Sequence, residues 1–287
     1  MKNNSSLSHR KQEPENSVLY IVGTPIGNLN DISLRALNIL KNVSFIACED
    51  TRQTKKLMNK FQIINRVISF HKYNSIKRIP TIIKELNQGK SVALVSDAGM
   101  PCICDPGEDL IKIARANNID VLCIPGPCAA LTALVSSGFS ASSFIFLGFL
   151  PKNKKEREQL LLKISEFEKT SILYESPHRL KKLLNELKKF CGGDREIQIF
   201  RELTKKYEEQ IGSNIDMVIN FYEKKDIVGE ITIVINKKDN EVESNFNEFQ
   251  LKKELSELID AGLTLSAASK YLAKKNNIKK SLIYNLY

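Results

Sequence analysis

Three loops in the first half of the chain follow short apolar runs and are rich in glycine and proline, in charged residues, or in both. They are residues 23–28, 48–52 and 96–108. In an open parallel sheet, ligands bind beyond the carboxyl ends of the strands, where such loops lie. A carboxylate such as Asp97, set before Ala98 and Gly99, suits a cationic or hydroxyl-bearing ligand that must touch backbone. The first loop lacks the G-x-G-x-x-G spacing of a dinucleotide site, which disfavours a nicotinamide-dependent oxidoreductase.

Several residues of these loops also have a structural interpretation. Asp50 is the predicted N-cap of the helix that follows it, and Asp105, with Pro106 and Glu108, has the pattern of a second helix start. Asp97 has no such role. The sequence therefore favours Asp97, and not Asp105, as a ligand-binding carboxylate.

Two loops place an arginine in the first turn of a predicted helix, where the helix dipole disfavours a cation. Arg52 follows Asp50, and Arg179 follows Ser176 and Pro177, the predicted N-cap and first helical residue of another helix. A guanidinium binds phosphate or carboxylate through two parallel hydrogen bonds. Both arginines therefore indicate a ligand contact.

Short apolar strands alternate with amphipathic helices from residue 17 onward, which predicts an α/β fold with mostly parallel sheets and helices on both faces. The predicted strands are residues 18–22, 43–48, 67–70, 91–96, 121–124, 143–147, 171–174, 196–200 and 230–235. The predicted helices include residues 32–40, 79–86, 108–116, 129–135, 156–167, 180–190 and 208–222.

The Pro-Gly-Pro sequence at residues 125–127 predicts a boundary between two α/β domains, residues 17–125 and 126–238. The polar residues 1–16 are a predicted disordered tail, and residues 239–248 are a predicted linker. Residues 249–287 are a predicted helical C-terminal region that binds RNA, because the last 22 residues hold five lysines and no acid.

The composition, 42% hydrophobic and 26% charged, is typical of a globular protein, and the net charge of +10 favours polyanionic partners. Six cysteines without a C-x-x-C motif, after a polar start, predict a reduced cytoplasmic protein. No metal is expected, because the cysteine spacing matches no common zinc site. Residues 121–150 are uncharged, but proline, glycine and serine interrupt them, so we expect a buried core segment and no membrane span.

Seven motifs, taken together in order, resemble one family. They are TPIGNLNDISLRA (24–36), EDTR (49–52), SDAG-P---DPG (96–107), PGP-A (125–129), FLGFLPK (146–152), ESPHRL (175–180) and RELTK--EE (201–209). This series resembles the ribosomal RNA small-subunit methyltransferase I family. That family is a branch of the tetrapyrrole-methylase-like class III methyltransferase superfamily.

The resemblance implies two α/β domains with S-adenosyl-L-methionine between them, a small helical C-terminal region and a homodimer. It also implies 2′-O-methylation of a cytidine in the decoding region of 16S rRNA, within the small ribosomal subunit. The implied cofactor residues are Thr24, Pro25, Gly27, Asn28, Asp97, Ala98, Gly99, Pro101, Gly126, Pro127, Cys128 and Ala129. The chain departs from the family at Met100, Cys104 and Cys128, where hydroxyl residues are common, so side-chain hydrogen bonds to cofactor are in doubt there.

A ribose 2′-hydroxyl becomes a good nucleophile when a positioned group takes up its proton. The candidates for this base are Glu49, Asp50, Glu175, His178 and Glu202. We favour Glu175 and His178 as catalytic residues, because their loop lies outside the cofactor set. The RNA phosphates would be bound by Arg52, Arg179, Arg201 and Lys205.

Two other functions remain open at this point. A tetrapyrrole C-methyltransferase would have the same fold, but the ESPHR and RELTK motifs and the basic tail disfavour it. The loss of hydroxyls leaves room for a non-catalytic RNA-binding or assembly protein. Calorimetry of cofactor binding separates that alternative from an enzyme.

Overall fold

The chain forms two compact units, Met1–Lys237 and Lys238–Tyr287. The structure, a computed structural model, describes residues 13–238, 248–276 and 280–287. The predicted disordered tail therefore lies mostly outside the described residues, as does nearly all of the predicted linker. The boundary predicted between residues 125 and 126 falls inside the first unit and stays a prediction.

The first unit begins with an all-parallel sheet of five strands in the order β3-β2-β4-β1-β5. The strands are β1 Val18–Val22, β2 Phe45–Cys48, β3 Val67–Ser69, β4 Val92–Val95 and β5 Asp120–Ile124. The three central strands are buried along their whole length, which is why their sequences are apolar throughout instead of alternating. A separate hydrophobic cluster covers each face of this sheet.

Five helices connect and follow these strands: α1 Leu34–Asn42, α2 Thr51–Lys60, α3 Ser75–Asn87, α4 Glu108–Ala116 and α5 Ala129–Ser137. A single 3-10 turn, Leu29–Asp31, precedes α1. Local capping sets several starts. The Ser33 hydroxyl accepts a hydrogen bond from the Ala36 amide, and the Asp50 carboxylate accepts one from the Arg52 amide, which confirms Asp50 as an N-cap.

The second sheet has five strands in the order β6-β7-β10-β8-β9. They are β6 Phe144–Phe149, β7 Thr170–Glu175, β8 Glu196–Arg201, β9 Glu209–Asn214 and β10 Ile231–Ile235. Only β6 and β7 pair in parallel; the other three pairs are antiparallel. The two α/β sheets are thus confirmed, but the expectation of a mostly parallel arrangement is wrong for the second sheet. The short connection from β8 to β9 allows antiparallel return, and β10 then lies antiparallel to both β7 and β8.

The helices around the second sheet are α6 Lys154–Glu166, α7 Pro177–Cys191 and α8 Ile215–Tyr222. The helix predicted at residues 208–222 is wrong in its first half, which forms the edge strand β9. Gly212 explains part of the difference. A Cβ at this position would meet the Gln198 side chain of β8, so the glycine lets the two strands pair closely. Asn214 then caps α8 by accepting a hydrogen bond from the Met217 amide.

Helix α5 follows the first sheet but packs against β7 and β10 of the second. Its residues Ala130, Ala133 and Leu134 are buried with Ile26 of the first loop and Phe200 of β8. This cluster joins the two sheets. The uncharged residues 121–150 form β5, α5 and β6, so the predicted order of strand, helix and strand is confirmed. The expectation that the whole segment is buried is wrong, because Leu131, Val135 and Phe149 are 50%, 74% and 52% exposed. In the described parts of the chain, no helix has the length and apolarity to cross a membrane.

The second unit contains α9 Glu248–Asp260, α10 Leu265–Lys275 and α11 Lys280–Tyr284. Its small core consists of Leu255, Ala268, Leu272, Ala273 and Ile283. Thr264 caps α10 by accepting a hydrogen bond from the Ala267 amide. The predicted helical character of residues 249–287 is confirmed for the described part.

Gly126 marks the closest backbone approach beside the site. A Cβ there would lie 2.7 Å from the Gly23 Cα and 2.8 Å from the Gly23 carbonyl carbon, both rigid main-chain atoms. We expect Gly126→Ala to lower the free energy of unfolding by about 1–3 kcal/mol, the usual cost of overpacking. Urea denaturation measures this decrease. Gly138→Ala is a comparison for backbone strain alone, because Gly138 has φ +73° and no atom within 4 Å of a built Cβ, whereas Gly126 is not among the glycines with positive φ. An unchanged free energy of unfolding in Gly126→Ala would show that the two main-chain segments separate without cost.

Candidate functional site

A cavity of 480 Å³ lies where loops from both sheets meet. Its wall includes Ile26, Glu49, residues 97–100 and residues 103–105 from the first sheet's loops. The second sheet contributes Phe149, residues 174–177, Phe200, Leu203 and residues 229–232. This volume is typical of a pocket for a small organic ligand. The carboxyl ends of parallel strands supply most of the first half, as an open sheet predicts.

The charges on the wall are mainly negative. Glu49, Asp97 and Asp105 all line the cavity, and no Lys, Arg or His is found among the described lining residues. Partial desolvation by the surrounding loops, and next the charge of Asp97, raise the pKa of Glu49; desolvation also raises the pKa of Asp97. Desolvation, followed by the charge of Glu49, raises the pKa of Asp105 to about 6. The described residues include no cluster of His, Cys, Asp or Glu suited to a metal ion. A cationic organic ligand therefore suits this wall.

Asp97 is held by its neighbours on the adjoining loop. Its Oδ1 accepts a hydrogen bond of 2.9 Å from the Asp50 backbone amide. Asp50 itself is engaged by Arg52, whose side-chain and backbone hydrogen bonds lower the pKa of Asp50 to about 2. Arg52 is highly exposed and points its guanidinium at this carboxylate. The carboxylate contact predicted for Arg52 is thus made with Asp50 of the same chain and not with a ligand.

The turn after Asp97 is fixed by the first loop. Thr24 and Gly99 exchange two backbone hydrogen bonds, of 2.9 and 3.1 Å. Gly99 has φ +76°, and a Cβ there would come within 3.3 Å of the Ile26 side chain. Glycine is required for both reasons. Thr24 is buried and serves this scaffold without lining the cavity.

Asp105 does not have the capping role predicted from the sequence. Gly107, with φ +144°, is the N-cap of α4, and Asp105 faces the cavity within hydrogen-bonding reach of Ser96. Cys102 and Cys104 both adopt left-handed backbone, at φ +71° and +65°. Non-glycine residues rarely adopt this conformation, and such strain concentrates at functional sites. Asp105 was not predicted to face the cavity, because D-P-G is the ordinary pattern of a helix start. Nothing in the sequence around Cys104 indicated the left-handed turn.

The three residues that replace family hydroxyls, Met100, Cys104 and Cys128, all lie on the cavity wall. Their substitution therefore changes the surface offered to a ligand. Burial raises the pKa of the Cys104 thiol, which keeps it neutral. All six cysteines are free thiols. Two aromatic rings also line the cavity: Tyr174 packs edge-on against Phe149, with 5.7 Å between the ring centroids.

Of the two residues favoured as catalytic, only Glu175 reaches the wall. Its side chain is fully buried, and Oε1 accepts hydrogen bonds of 2.7 Å from the Ser176 amide and from Arg179 Nε. Arg157, itself buried and paired with Glu186, lies 3.7 Å from its other oxygen. Two guanidinium groups therefore face this carboxylate, Arg179 on one oxygen and Arg157 on the other. His178 is exposed in the first turn of α7 and is not among the cavity residues.

The loop at residues 201–208 closes the cavity from the second sheet. The Lys205 ammonium lies 2.8 Å from Glu202 Oε1 and 2.5 Å from Glu230 Oε2. The Thr204 hydroxyl accepts a hydrogen bond of 3.0 Å from the Asn28 amide, and Lys205 packs so closely on Gly27 that a Cβ there would clash. Arg201 is mostly buried near Glu209. These contacts give Lys205 and Gly27 a role in joining the loops.

Five of the twelve predicted cofactor residues line the cavity: Asp97, Ala98, Gly99, Cys128 and Ala129. Gly27 and Asn28 support the neighbouring loop as described above, and Gly126 packs on Gly23. Pro101, with Gly126 and Cys128, borders a second, shallower apolar cavity beside β5. Pro25 and Pro127 are not among the lining residues of the first cavity. Sequence reasoning missed Ile26, Ile103 and Phe149, whose apolar side chains carried no chemical signal.

Comparison with known proteins places this site in a family. The sequence profile of the Tetrapyrrole (Corrin/Porphyrin) Methylases matches residues 18–218. Ribosomal RNA small subunit methyltransferase I of Bacillus subtilis is 42% identical over 274 residues, 94% of each chain. The protein of the same name from Synechocystis is 41% identical over 94% of this chain and 96% of its own. That from Thermotoga maritima is 45% identical over 221 residues, 77% of this chain and 99% of its own.

The chain belongs to the ribosomal RNA small subunit methyltransferase I family. The resemblance drawn from the seven motifs is thereby confirmed, and with it an enzyme that depends on S-adenosylmethionine. Solved structures agree on the fold. Cobalt precorrin-4 methyltransferase has a TM-score of 0.60 at 17% identity, covering 77% of this chain and 95% of its own. A uroporphyrin-III C-methyltransferase from Thermus thermophilus has a TM-score of 0.54 at 16% identity, covering 78% and 96%.

The cavity fits the cofactor of this family. S-adenosylmethionine carries a sulfonium and an ammonium group, and the wall offers Glu49, Asp97 and Asp105 without an opposing cation in the described lining. The apolar residues Ile26, Ile103 and Phe149 suit the adenosine part. The carboxylates suit the cationic groups of this molecule, and the apolar side chains suit its nucleoside.

The raised pKa of Asp105 predicts a pH dependence of cofactor binding. Below pH 6 Asp105 is protonated and neutral, and above pH 6 it is the carboxylate that attracts the cationic cofactor. We expect S-adenosylmethionine affinity to rise as pH rises from 5 to 7, and this part of the rise to be absent in Asp105→Asn. Calorimetric titration at several pH values measures both proteins. Parallel pH profiles in the two proteins would remove Asp105 from cofactor binding.

Proposed function

We propose that this protein transfers the methyl group of S-adenosylmethionine to the ribose 2′-oxygen of a cytidine in the decoding region of 16S rRNA. The observation that supports it most is a carboxylate-lined cavity in a chain about 40% identical, over nearly its whole length, to ribosomal RNA small subunit methyltransferases. The acceptor would be the small ribosomal subunit or its RNA, in the cytoplasm.

When bound, the cofactor supplies an electrophilic methyl carbon on a positively charged sulfur. Asp97 attracts its positive charge, and the fixed turn at Gly99 brings backbone close to it. A rigid wall would be needed to hold the acceptor 2′-oxygen at about 3–3.5 Å from that methyl carbon. The backbone bridge between Thr24 and Gly99 provides that rigidity.

The reaction releases one proton from the 2′-hydroxyl, and a carboxylate on the cavity wall can accept it. The predicted base candidates Glu175 and His178 stay proposals, but Glu175 is held by two arginines and His178 lies outside the wall. Glu49 and Asp105 face the cavity without such partners and are poised to take up a proton, because their pKa values are raised. We therefore favour Glu49 or Asp105 over Glu175 as the acceptor.

The predicted RNA contacts Arg52, Arg179, Arg201 and Lys205 stand near the loops of the cavity, each beside a carboxylate of the protein. Arg52 is the most exposed of the four and has the freest access to a phosphate. Arg179, Arg201 and Lys205 could reach RNA only by sharing or exchanging their present partners. Their structural role in holding the loops is at least as strong.

The alternative function within this fold is methylation of a tetrapyrrole. The two solved methyltransferases named above are 16% and 17% identical to this chain, so their likeness concerns the fold alone. The ribosomal RNA methyltransferases, by contrast, are about 40% identical to this chain in sequence. The proposal of an RNA substrate follows the ribosomal RNA methyltransferases.

A homodimer is also proposed from the family resemblance. The edge strand β5 supports it, because its neighbour Leu131 on α5 is half exposed and Val135 is 74% exposed. Of these two apolar side chains, Leu131 lines the shallow cavity beside β5. Burying them against a second copy would remove apolar surface from water.

The proposed function is tested by methyl transfer from labelled S-adenosylmethionine to small ribosomal subunits from cells that lack the enzyme, with the 2′-O-methyl position mapped afterwards. Asp97→Asn removes the charge but can still accept the hydrogen bond from Asp50. We expect it to weaken cofactor binding by about 1.5–3 kcal/mol, a charged hydrogen bond's worth. Binding of subunits without cofactor should not change. Unaltered cofactor affinity would exclude Asp97 from the site, and wild-type protein that leaves subunits unmethylated would refute the function.

The C-terminal unit, Lys238–Tyr287, is proposed to bind additional phosphates through its lysines, among them Lys270, Lys274 and Lys280, which are exposed. A chain that ends at Lys237 should keep its cofactor affinity, because every residue of the cavity precedes that point. Its subunit binding should weaken and depend less on salt, by roughly 0.7–0.9 in logarithmic slope for each phosphate that is no longer neutralised. Binding measured from low to moderate salt decides this. An unchanged slope would assign the unit a role other than phosphate binding.

A further inference from the structure

A segment that none of the motifs explains is strongly basic. Residues 51–84 contain nine lysines and arginines and no aspartate or glutamate, although the whole chain has 33 acidic residues. The cations are Arg52, Lys55, Lys56, Lys60, Arg66, Lys72, Lys77, Arg78 and Lys84. Surface helices ordinarily mix both signs of charge. A run with one sign only indicates a surface that meets a polyanion.

Part of this segment lies beside the cavity. The Phe70 amide donates a 2.7 Å hydrogen bond to the Cys48 carbonyl, the residue before Glu49. His71 follows and lies close enough to Glu49 for its charge to act on that carboxyl, whose pKa is raised chiefly by desolvation. The loop from β3 to α3 therefore stands at the same edge as the carboxylate wall.

This loop presents an aromatic ring to solvent. Tyr73 is 92% exposed, and its ring meets His71 edge-on at a centroid distance of 6.1 Å. The loop is nevertheless well fixed, because Asn74 Oδ1 accepts a 2.8 Å hydrogen bond from the His71 amide and Asn74 Nδ2 donates to the Ser69 carbonyl. An exposed ring on a fixed loop is a platform for stacking an unpaired base.

Exposed cations surround the ring. Lys72, Lys77 and Arg78 are all exposed, and none forms an ion pair with a carboxylate of the described chain. Arg179, Arg201 and Lys205, by contrast, already face protein carboxylates. The unpaired cations can contact phosphates without breaking an internal ion pair. We call Lys72, Tyr73, Lys77 and Arg78 the β3–α3 surface.

We propose that the β3–α3 surface binds the single-stranded RNA that flanks the methylated nucleotide, with Tyr73 stacked on a base and Lys72, Lys77 and Arg78 on the phosphates. This rests on the proposed function, because the methyl acceptor must enter the adjoining cavity. Sequence-tolerant stacking combined with phosphate binding would hold the strand while one nucleotide reaches the carboxylate wall.

The test compares Tyr73→Ala with Tyr73→Phe in methyl transfer to unmethylated small ribosomal subunits. Removing the stacked ring should raise the KM for subunits by about 5- to 150-fold, from the usual worth of one base–aromatic stack. Tyr73→Phe keeps the ring and should retain a KM near that of the wild type. Cofactor affinity should be the same in all three proteins, and equal unfolding midpoints show that they are folded.

A charge test uses a matched pair of double variants. Lys77→Gln with Arg78→Gln should flatten the salt dependence of subunit binding by roughly 0.7 in logarithmic slope for each phosphate that the protein no longer neutralises. Lys41→Gln with Lys112→Gln removes the same charge from exposed positions on α1 and α4 and should leave the slope as it is.

Three results would overturn the proposal: a Tyr73→Ala enzyme with wild-type KM, equal impairment of Tyr73→Phe and Tyr73→Ala, or equal slopes in the two double variants. Each would be obtained with a wild-type enzyme that methylates subunits, so the proposed function would stand. A wild-type protein inactive on RNA would instead refute both.

Discussion

Ionised carboxylates resist removal from water, and this protein arranges three of them around one partly desolvated cavity. Glu49, Asp97 and Asp105 have raised pKa values because desolvation and repulsion from neighbouring carboxylates both favour the neutral form. No cation of the described lining relieves that repulsion. The arrangement costs stability when the cavity is empty and is offset when a cationic ligand enters it. We therefore expect a cationic ligand to stabilise the folded protein.

The surrounding structure has to hold these groups against their repulsion. Two backbone hydrogen bonds between Thr24 and Gly99 fix one loop, and the Asp50 amide holds Asp97. Left-handed residues at Cys102 and Cys104 turn Asp105 inward. The wall of the second sheet differs, because its buried carboxylate, Glu175, lies between two guanidinium groups that offset its charge. Carboxylate repulsion thus lies on the wall formed by the first sheet's loops, and the paired carboxylate Glu175 lies on the wall formed by the second sheet.

The sequence predicted the loops better than the roles within them. Glycine, proline or charged residues after apolar strands located the loops at residues 23–28, 48–52 and 96–108, because ligand loops require unusual backbone. Five predicted cofactor residues line the cavity. Asp105 was missed because D-P-G followed by Glu is the ordinary pattern of a helix start, and only the three-dimensional turn shows that Gly107 takes the cap. The edge strand β9 was predicted as helix since its polar residues lack strict alternation; its identity comes from pairing with β8. Tyr73 and its neighbours were missed because their proposed role rests on two features that the sequence does not show. These are their exposure to solvent and the position of their loop beside Glu49.

The relative from Thermotoga maritima bears on where substrate recognition lies. It is matched over 99% of its length by 221 residues of this chain, so it is shorter than the first unit, Met1–Lys237, alone. A protein of that size keeps the family name without room for both units. The cavity, its carboxylates and the β3–α3 surface all belong to the first unit. If the first unit is sufficient for methyl transfer, then a site for RNA must exist within it, and the described ion pairs leave Lys72, Lys77 and Arg78 more available for that role than Arg179 or Lys205. The C-terminal unit would then increase affinity for a large substrate, while the β3–α3 surface holds the strand that flanks the methylated nucleotide.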